Sequence, residues 1–142
     1  MKQVYETICK SEIWRTSALI VLFDEHGGFY DHEPAPGGAT PPGDEPRYTD
    51  WGNSLHSREF AWDQYGLRVP ALVISPLVPA GAVDDRLYDH TSIIATVAKR
   101  FSLGRLTNRD ANALTFDDLF SLPEVRQTRR NLPDVIGPRN FA

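Results

Sequence analysis

Cysteine, basic charge and long apolar runs are all scarce in this chain of 142 residues. Cys9 is the only cysteine, so no disulfide forms within the chain and the redox compartment stays open. Acidic residues outnumber basic ones by 19 to 15, which argues against a nucleic-acid partner because phosphate backbones attract a basic surface. No apolar run approaches the ~20 residues of a transmembrane helix. The first residues also lack an apolar stretch of signal-peptide length.

The composition that remains is that of an ordinary globular protein. Hydrophobic residues make up 41% and charged residues 24% of the chain. The length fits one domain or part of a larger one. Two apolar runs predict buried strands at residues 18–23 and 72–75, and apolar residues at helical spacing predict a helix over 92–101. Residues 2–11 predict a further short helix.

These elements favour an α/β layered fold. Apolar runs of this kind are typical of strands buried on both faces. Because the connection between the two runs is long enough for a crossover, we expect the strands to run parallel in one sheet, with helix 92–101 packed on it. Residues 33–65 predict a long surface loop, since "PAPGGATPPGDEP" holds five prolines and three glycines. We expect some of Trp51, His56, Phe60 and Trp62 to pack this loop down, and His56 has no obvious partner for a functional role. Residues 125–142 form a polar tail.

The first strand runs directly into the stretch "FDEHGGFYDH". Asp24 and Glu25 are consecutive, and two converging carboxylates repel each other unless a cation or a proton lies between them. Carboxylate oxygens suit Mg²⁺, Ca²⁺ or Mn²⁺, and nearby histidines extend the choice to zinc or iron. Gly27-Gly28 would let a ligand approach the backbone. The plainer interpretation is a solvated acidic turn, because charged residues mostly lie exposed.

Two Asp-His dipeptides, Asp31-His32 and Asp89-His90, are candidates for proton transfer, metal ligation or contact with a substrate oxygen. A histidine that only supports its local backbone is the alternative for each. His90 stands just before a helix N-terminus, where an anion is favoured. Thr91 or Ser92 is predicted to cap that helix, which argues against a nucleophilic role for either hydroxyl. In α/β folds ligands lie beyond the carboxyl ends of strands, so the two polar clusters are expected to meet.

Three segments in this order, "ALIVLFDEHGGFYDHEPAP", "YGLRVPALVISPLVPAGAV" and "YDHTSIIATVAKRFSL", resemble the C-terminal half of the bacterial phosphoesterase family. "WRT" before the first strand and "LTNRDANAL" after the helix also resemble it. The family contains non-haemolytic and plant non-specific phospholipases C and a group of acid phosphatases.

The resemblance implies part of an alkaline-phosphatase-like α/β/α sandwich with a mostly parallel sheet. It implies hydrolysis of phospholipid or small phosphate esters through a phosphorylated serine or threonine beside one divalent metal ion of unknown identity. By position, Asp24 and Glu25 would be metal ligands, and His32 and His90 would be catalytic groups lining the phosphate pocket. His26, where the family also tolerates asparagine, would contact substrate.

The family's N-terminal half, with further metal ligands and the nucleophile, has no counterpart in residues 1–142. We therefore expect a fragment that is inactive alone, with the missing half as a candidate partner chain. The family resemblance suggests a secreted or periplasmic full-length protein. One alternative is a non-catalytic remnant or subunit that binds a cation or phosphate, or completes its site with another chain. Another is a mononuclear iron or zinc enzyme built from Asp24, His26, His32 and His90.

Overall fold

A computed structural model describes residues 1–43 and 62–134 of the chain. Both predicted strands and both predicted helices are present, each within a residue or two of the expected bounds. In chain order the elements are helix α1 (Lys2–Lys10), a 3-10 helix (Glu12–Thr16), strand β1 (Leu19–Leu22), strand β2 (Ala71–Ile74), helix α2 (Thr91–Arg100), helix α3 (Asn108–Asn112) and a second 3-10 helix (Asp117–Leu119).

The two strands pair with each other, and they run antiparallel. The hydroxyl of Ser75, which follows β2, donates to the carbonyl of Ser17, which precedes β1, at 2.8 Å. The end of one strand therefore lies beside the start of the other. Helices with a sheet are compatible with the expected α/β class, but the prediction of a parallel pair was wrong. Antiparallel strands need no crossover helix, and their hydrogen bonding is slightly more stable per residue.

Contacts divide the chain into two units. The first, called the sheet unit, comprises Met1–Val21, Ala71–Ala82 and the described residues from Leu119 onward. Its apolar centre is Trp14, whose indole N–H donates to the Thr128 hydroxyl at 2.8 Å and whose ring meets the Tyr5 ring edge-on at 6.2 Å. The described part of the polar tail is therefore tied to the first helical segments, because Thr128 supplies the partner of a buried indole.

The second unit, called the histidine unit, comprises the described residues of Leu22–Pro70 together with Val83–Asp118. Helix α2 packs against α3 there. The Thr96 hydroxyl accepts the backbone N–H of Phe116 at 2.9 Å, and the Phe116 ring lies 4.8 Å from the Tyr88 ring. Every residue of the candidate site belongs to this unit.

The burial of the elements differs from the expectation of strands covered on both faces. All four residues of β1 are half-buried, and in β2 the Leu72 side chain is 59% exposed. On α2 the buried residues are Ser92, Ala95 and Thr96. The apolar residues that indicated the helix lie largely on its other face, with Phe101 65% exposed.

The described ends of the predicted loop are ordered against each other. Gly37 and Gln64 form an antiparallel bridge, and the N–H of Ala39 donates to the carbonyl of Asp63 at 2.8 Å. Trp62 is 39% exposed, whereas Trp51 and Phe60 lie outside the described residues. Among the helices of the described residues, none has the length and apolar character needed to cross a membrane.

Candidate active site

The stretch after β1 forms a tight turn built on two glycines. Gly27 and Gly28 have φ angles of +69° and +73°, in the left-handed region that glycine adopts without steric cost. The N–H of Phe29 closes the turn by donating to the carbonyl of His26 at 3.2 Å. A Cβ on Gly27 would also stand 3.0 Å from the Phe29 ring. The glycine pair is thus explained by backbone conformation, without a ligand.

The two predicted metal ligands lie at the start of this turn, and both are exposed. Glu25 Oε2 accepts the N–H of Gly27 at 2.8 Å and stands 3.7 Å from Nδ1 of His26. Glu25 is therefore turned toward its own loop. Asp24 and Glu25 have the hard oxygen donors that Mg²⁺, Ca²⁺ or Mn²⁺ prefer.

These donors do not make a complete metal site within the part of the chain that the structure describes. No group of three or more histidine, cysteine, aspartate or glutamate side chains there is placed to hold an ion. Two carboxylates alone would leave most of the coordination positions of a hard cation unfilled. Asp24 and Glu25 alone therefore do not make a metal site.

His90 is brought to the end of β1. Its Nε2 lies 3.1 Å from the carbonyl oxygen of Phe23, the residue just before Asp24, across 67 positions of sequence. A carbonyl only accepts hydrogen bonds, so Nε2 must carry the proton in this contact. The other ring nitrogen, Nδ1, is then the one left to accept a proton when the imidazole is neutral.

The turn that carries His90 is fixed by the aspartate before it. Asp89 accepts hydrogen bonds from the Thr91 N–H at 2.8 Å and from the Thr91 hydroxyl at 2.5 Å, while its own N–H donates to the Ser92 hydroxyl at 3.1 Å. Asp89 also pairs with Arg109 Nε at 2.9 Å. Burial alone would raise the pKa of Asp89, but the hydrogen bonds from Thr91 and Arg109 outweigh it, and the pKa lies below its usual range.

The N-cap of α2 is His90, whose side chain makes no capping hydrogen bond, so the prediction of Thr91 or Ser92 as the cap was wrong. The first turn is held instead by Asp89 and Ser92. The Thr91 hydroxyl is occupied by Asp89, and Ser92 is buried, with 1% of its surface exposed. Neither hydroxyl is presented as a nucleophile.

His32 occupies a comparable position in the other Asp-His dipeptide. Its side chain is 77% exposed, with Nδ1 3.8 Å from Asp31 and Nε2 3.8 Å from Glu33. Asp31 is instead held by Arg68, through hydrogen bonds of 2.8 Å from Nε and 2.6 Å from Nη2. The Arg68 guanidinium holds the pKa of the Asp31 carboxyl well below its usual range.

The structure therefore brings together part of the predicted site. His90 meets the end of β1 beside Asp24, and His26 stands beside Glu25. His32 contacts its own sequence neighbours. The convergence of all the predicted residues on one cleft stays a prediction. His56 lies outside the described residues.

The sequence did not predict that Arg68 and Arg109 hold the two aspartates. The position of Arg68 before the second apolar run favours a residue that anchors the end of that strand over one that binds phosphate. Arg109 drew no prediction, although it lies within "LTNRDANAL". The sequence offered two Asp-His dipeptides and several arginines. Nothing in their spacing says which arginine meets which aspartate.

Comparison with known proteins shows the family to which the chain belongs. Residues 1–104 match the model of the Phosphoesterase family, and the chain belongs to that family. The resemblance seen in the sequence is thereby confirmed.

Particular relatives are phospholipases C. The chain is 37% identical to non-specific phospholipase C1 of Arabidopsis thaliana, over 96% of the chain and 26% of that protein. It is 36% identical to non-specific phospholipase C6 of the same plant, over 94% of the chain and 29% of that protein. Identity to the non-hemolytic phospholipase C of Pseudomonas aeruginosa is 35%, over 65% of the chain and 15% of that protein. The chain thus spans between about a seventh and three tenths of these relatives.

Proposed function

We propose that this chain contributes one wall of a phosphoric ester hydrolase site of the phospholipase C type, acting on phosphodiesters of phospholipid head groups. The observation that carries the proposal is the contact between His90 Nε2 and the Phe23 carbonyl at 3.1 Å. It joins two of the segments that resemble the family, at the residue preceding the acidic pair. Relatives whose names state phospholipase C activity support the choice of reaction.

In this proposal the histidines transfer protons and donate hydrogen bonds to phosphate oxygens. The His90 ring is held at Nε2, so Nδ1 is the atom that takes up or returns a proton at the ester. His32 is exposed enough to donate to a phosphoryl oxygen, and His26 would contact substrate at the rim of the turn. A phosphate monoester, as used by acid phosphatases, would meet the same groups.

Asp24 and Glu25 are proposed as ligands for one divalent cation whose remaining ligands come from outside the described residues. Such an ion would supply positive charge that stabilises negative charge on the phosphoryl group. The exposure of both carboxylates supports this assignment, because both side chains are accessible to another part of a larger protein. We also propose that the full-length protein has an alkaline-phosphatase-like α/β/α sandwich and is secreted or periplasmic.

One observation favours a second function. The described residues hold no complete cluster of metal-binding side chains. A chain with an incomplete set of metal ligands would act as a subunit that binds a cation or phosphate weakly and completes its site with another chain. The two proposals differ in whether a protein containing this segment turns over a phosphate ester.

The test uses a complete phosphoesterase that contains this segment. Asp24→Asn and Glu25→Gln should each remove the bound metal, measured by elemental analysis, together with hydrolysis of phosphatidylcholine and p-nitrophenyl phosphate. His90→Ala should lower turnover by roughly 100-fold while leaving the metal in place. Asp85→Asn removes an exposed carboxylate of the same unit and serves as the control. Full metal content and full turnover in Asp24→Asn would refute the assignment.

A further inference from the structure

The two Asp-His dipeptides are built in the same way. In each, the aspartate carboxylate is held by an arginine that is distant in sequence: Arg68 holds Asp31 across 37 positions, and Arg109 holds Asp89 across 20. The aspartates are largely buried, with 13% and 15% of their side chains exposed. Two dipeptides with matching partners, in segments far apart in the chain, indicate a shared role.

Each carboxylate also fixes the backbone around the following histidine. Asp31 Oδ1 accepts the N–H of Glu33 at 3.1 Å, and Asp89 Oδ1 accepts the N–H of Thr91 at 2.8 Å. In both cases the bond spans the histidine and closes a turn of the Asx type. The histidine backbone is thus held between an anchored side chain and a fixed amide.

The aspartates are not the hydrogen-bond partners of their neighbouring imidazoles. Nδ1 of His32 stands 3.8 Å from Asp31, beyond hydrogen-bonding distance. His90 makes its contact with the Phe23 carbonyl instead. A carboxylate that is occupied by an arginine and an amide orients the histidine through the backbone and does not share its proton.

Arg109 makes contacts beyond its ion pair with Asp89. Its Nη1 donates to the carbonyl of Trp62 at 3.2 Å, and its guanidinium lies 5.3 Å from the centre of the Tyr65 ring. One side chain on α3 therefore ties the segment 62–65 to the turn before α2. Only 19% of this side chain is exposed. Lysine would keep the charge but could not make these directed contacts together.

We propose that Arg68 and Arg109 are positioning residues, which hold Asp31 and Asp89 so that His32 and His90 are presented to the substrate in fixed orientations. The catalytic part of this proposal rests on the proposed function, whereas the positioning part concerns the folded chain alone. The competing explanation is that the pairs only stabilise the fold.

The first experiment reads the histidines directly, by nuclear magnetic resonance of the chain labelled with nitrogen-15. At a pH where the imidazoles are neutral, His90 should show the tautomer with the proton on Nε2. Arg109→Ala should mix the two tautomers of His90 and leave the His32 amide unchanged. Arg68→Ala should increase the mobility of the His32 amide and leave the His90 tautomer unchanged. Arg105→Ala, an exposed arginine of the same unit, should change neither.

This reciprocal pattern separates positioning from general stabilisation. If the arginines only stabilise the fold, each variant should perturb both histidines or perturb neither. Each of these two results would overturn the proposal. Arg109→Lys and Arg68→Lys keep the charge and decide the question where an alanine variant does not fold. They should behave as the alanine variants do, and wild-type spectra from folded lysine variants would overturn the proposal.

The second experiment measures catalysis in a complete phosphoesterase that contains the segment. Arg109→Ala should lower kcat roughly 10- to 100-fold with KM nearly unchanged, because a misplaced group costs rate more than binding. Combined with His90→Ala it should cost little more than His90→Ala alone. A change in KM as large as the loss in kcat would count against positioning. So would a loss in kcat that adds in full to the loss caused by His90→Ala. If the wild-type protein hydrolyses no phosphate ester, the proposed function fails, and the spectra still decide the role of the arginines.

Discussion

Asp31 shows how much the surroundings of a single carboxylate decide its role. An aspartate next to a histidine invites the interpretation of a carboxylate–imidazole pair, but Arg68 makes two hydrogen bonds to Asp31 and lies much closer than the imidazole of His32. Arginine's planar fork matches both carboxylate oxygens, so it displaces the weaker interaction. The carboxylate is therefore an anchor, and the histidine remains exposed.

This anchoring predicts a dependence of stability on pH. The Arg68 hydrogen bonds place the pKa of Asp31 in the folded chain below its value in the unfolded chain, about 3.9. The folded state then keeps the carboxylate charged where the unfolded state would protonate it. The stabilisation is complete above about pH 5 and is lost as the pH falls through the folded-state pKa.

Asp31→Asn should therefore lower the urea midpoint of unfolding at pH 7, and the difference from the wild type should shrink steadily between pH 5 and pH 2. Asp85→Asn is the matched control, since it removes an exposed carboxylate from the same unit, and its midpoint should follow the wild type. A difference that stayed constant with pH would show that Asp31 acts by some means other than its charge.

At the scale of the element, the start of α2 determines where His90 is presented. Asp89 accepts the Thr91 N–H, and the buried Ser92 hydroxyl accepts the Asp89 N–H in return. This reciprocal pair resembles a capping box, in which two side chains satisfy donors that the first turn leaves free.

Ser92→Ala should consequently destabilise the chain by about 1–2 kcal/mol, because the Asp89 N–H loses its partner in a buried place. Turnover of the complete enzyme should persist, since Ser92 is a structural residue. Ser121→Ala, at an exposed serine, should change stability by less than about 0.5 kcal/mol. Loss of all turnover in Ser92→Ala, with stability intact, would instead identify this hydroxyl as the nucleophile.

The elements themselves were largely predictable from sequence, whereas their partners were not. Apolar runs and helical spacing identified β1, β2, α1 and α2. Helix α3 was missed because its signal is polar: Thr107 and Asp110 form a capping box around only five residues. Which face of α2 is buried also escaped prediction, since the small residues Ala95 and Thr96 pack inward while larger apolar residues remain exposed. Periodicity locates a helix, but tertiary contacts choose its buried face.

At the scale of the whole molecule, the topology on which the expected site was based was wrong, and the convergence of the site residues stays a prediction. His90 was expected near Asp24 because the carboxyl ends of parallel strands share one edge of a sheet. The strands are antiparallel, yet His90 reaches the carbonyl of Phe23. The contact depends on the path of the histidine unit after residue 83 and on the anchor at Asp89, which strand direction does not specify. The family assignment is independent of this error, because it rests on the sequence match.

The last prediction concerns what the chain can do by itself. We expect residues 1–142 alone to hydrolyse neither p-nitrophenyl phosphate nor phosphatidylcholine above background, with or without added divalent cations. The described residues hold no complete metal cluster, and the Thr91 and Ser92 hydroxyls are engaged in the helix start. Histidines alone supply proton transfer, which typically contributes 10²- to 10⁴-fold and cannot replace a nucleophile and a metal ion. The measurement is release of nitrophenol and of phosphocholine, with His90→Ala as a control for contaminating enzymes. Turnover that is absent from His90→Ala but clear in the wild type would contradict the prediction and show that this segment contains a working site.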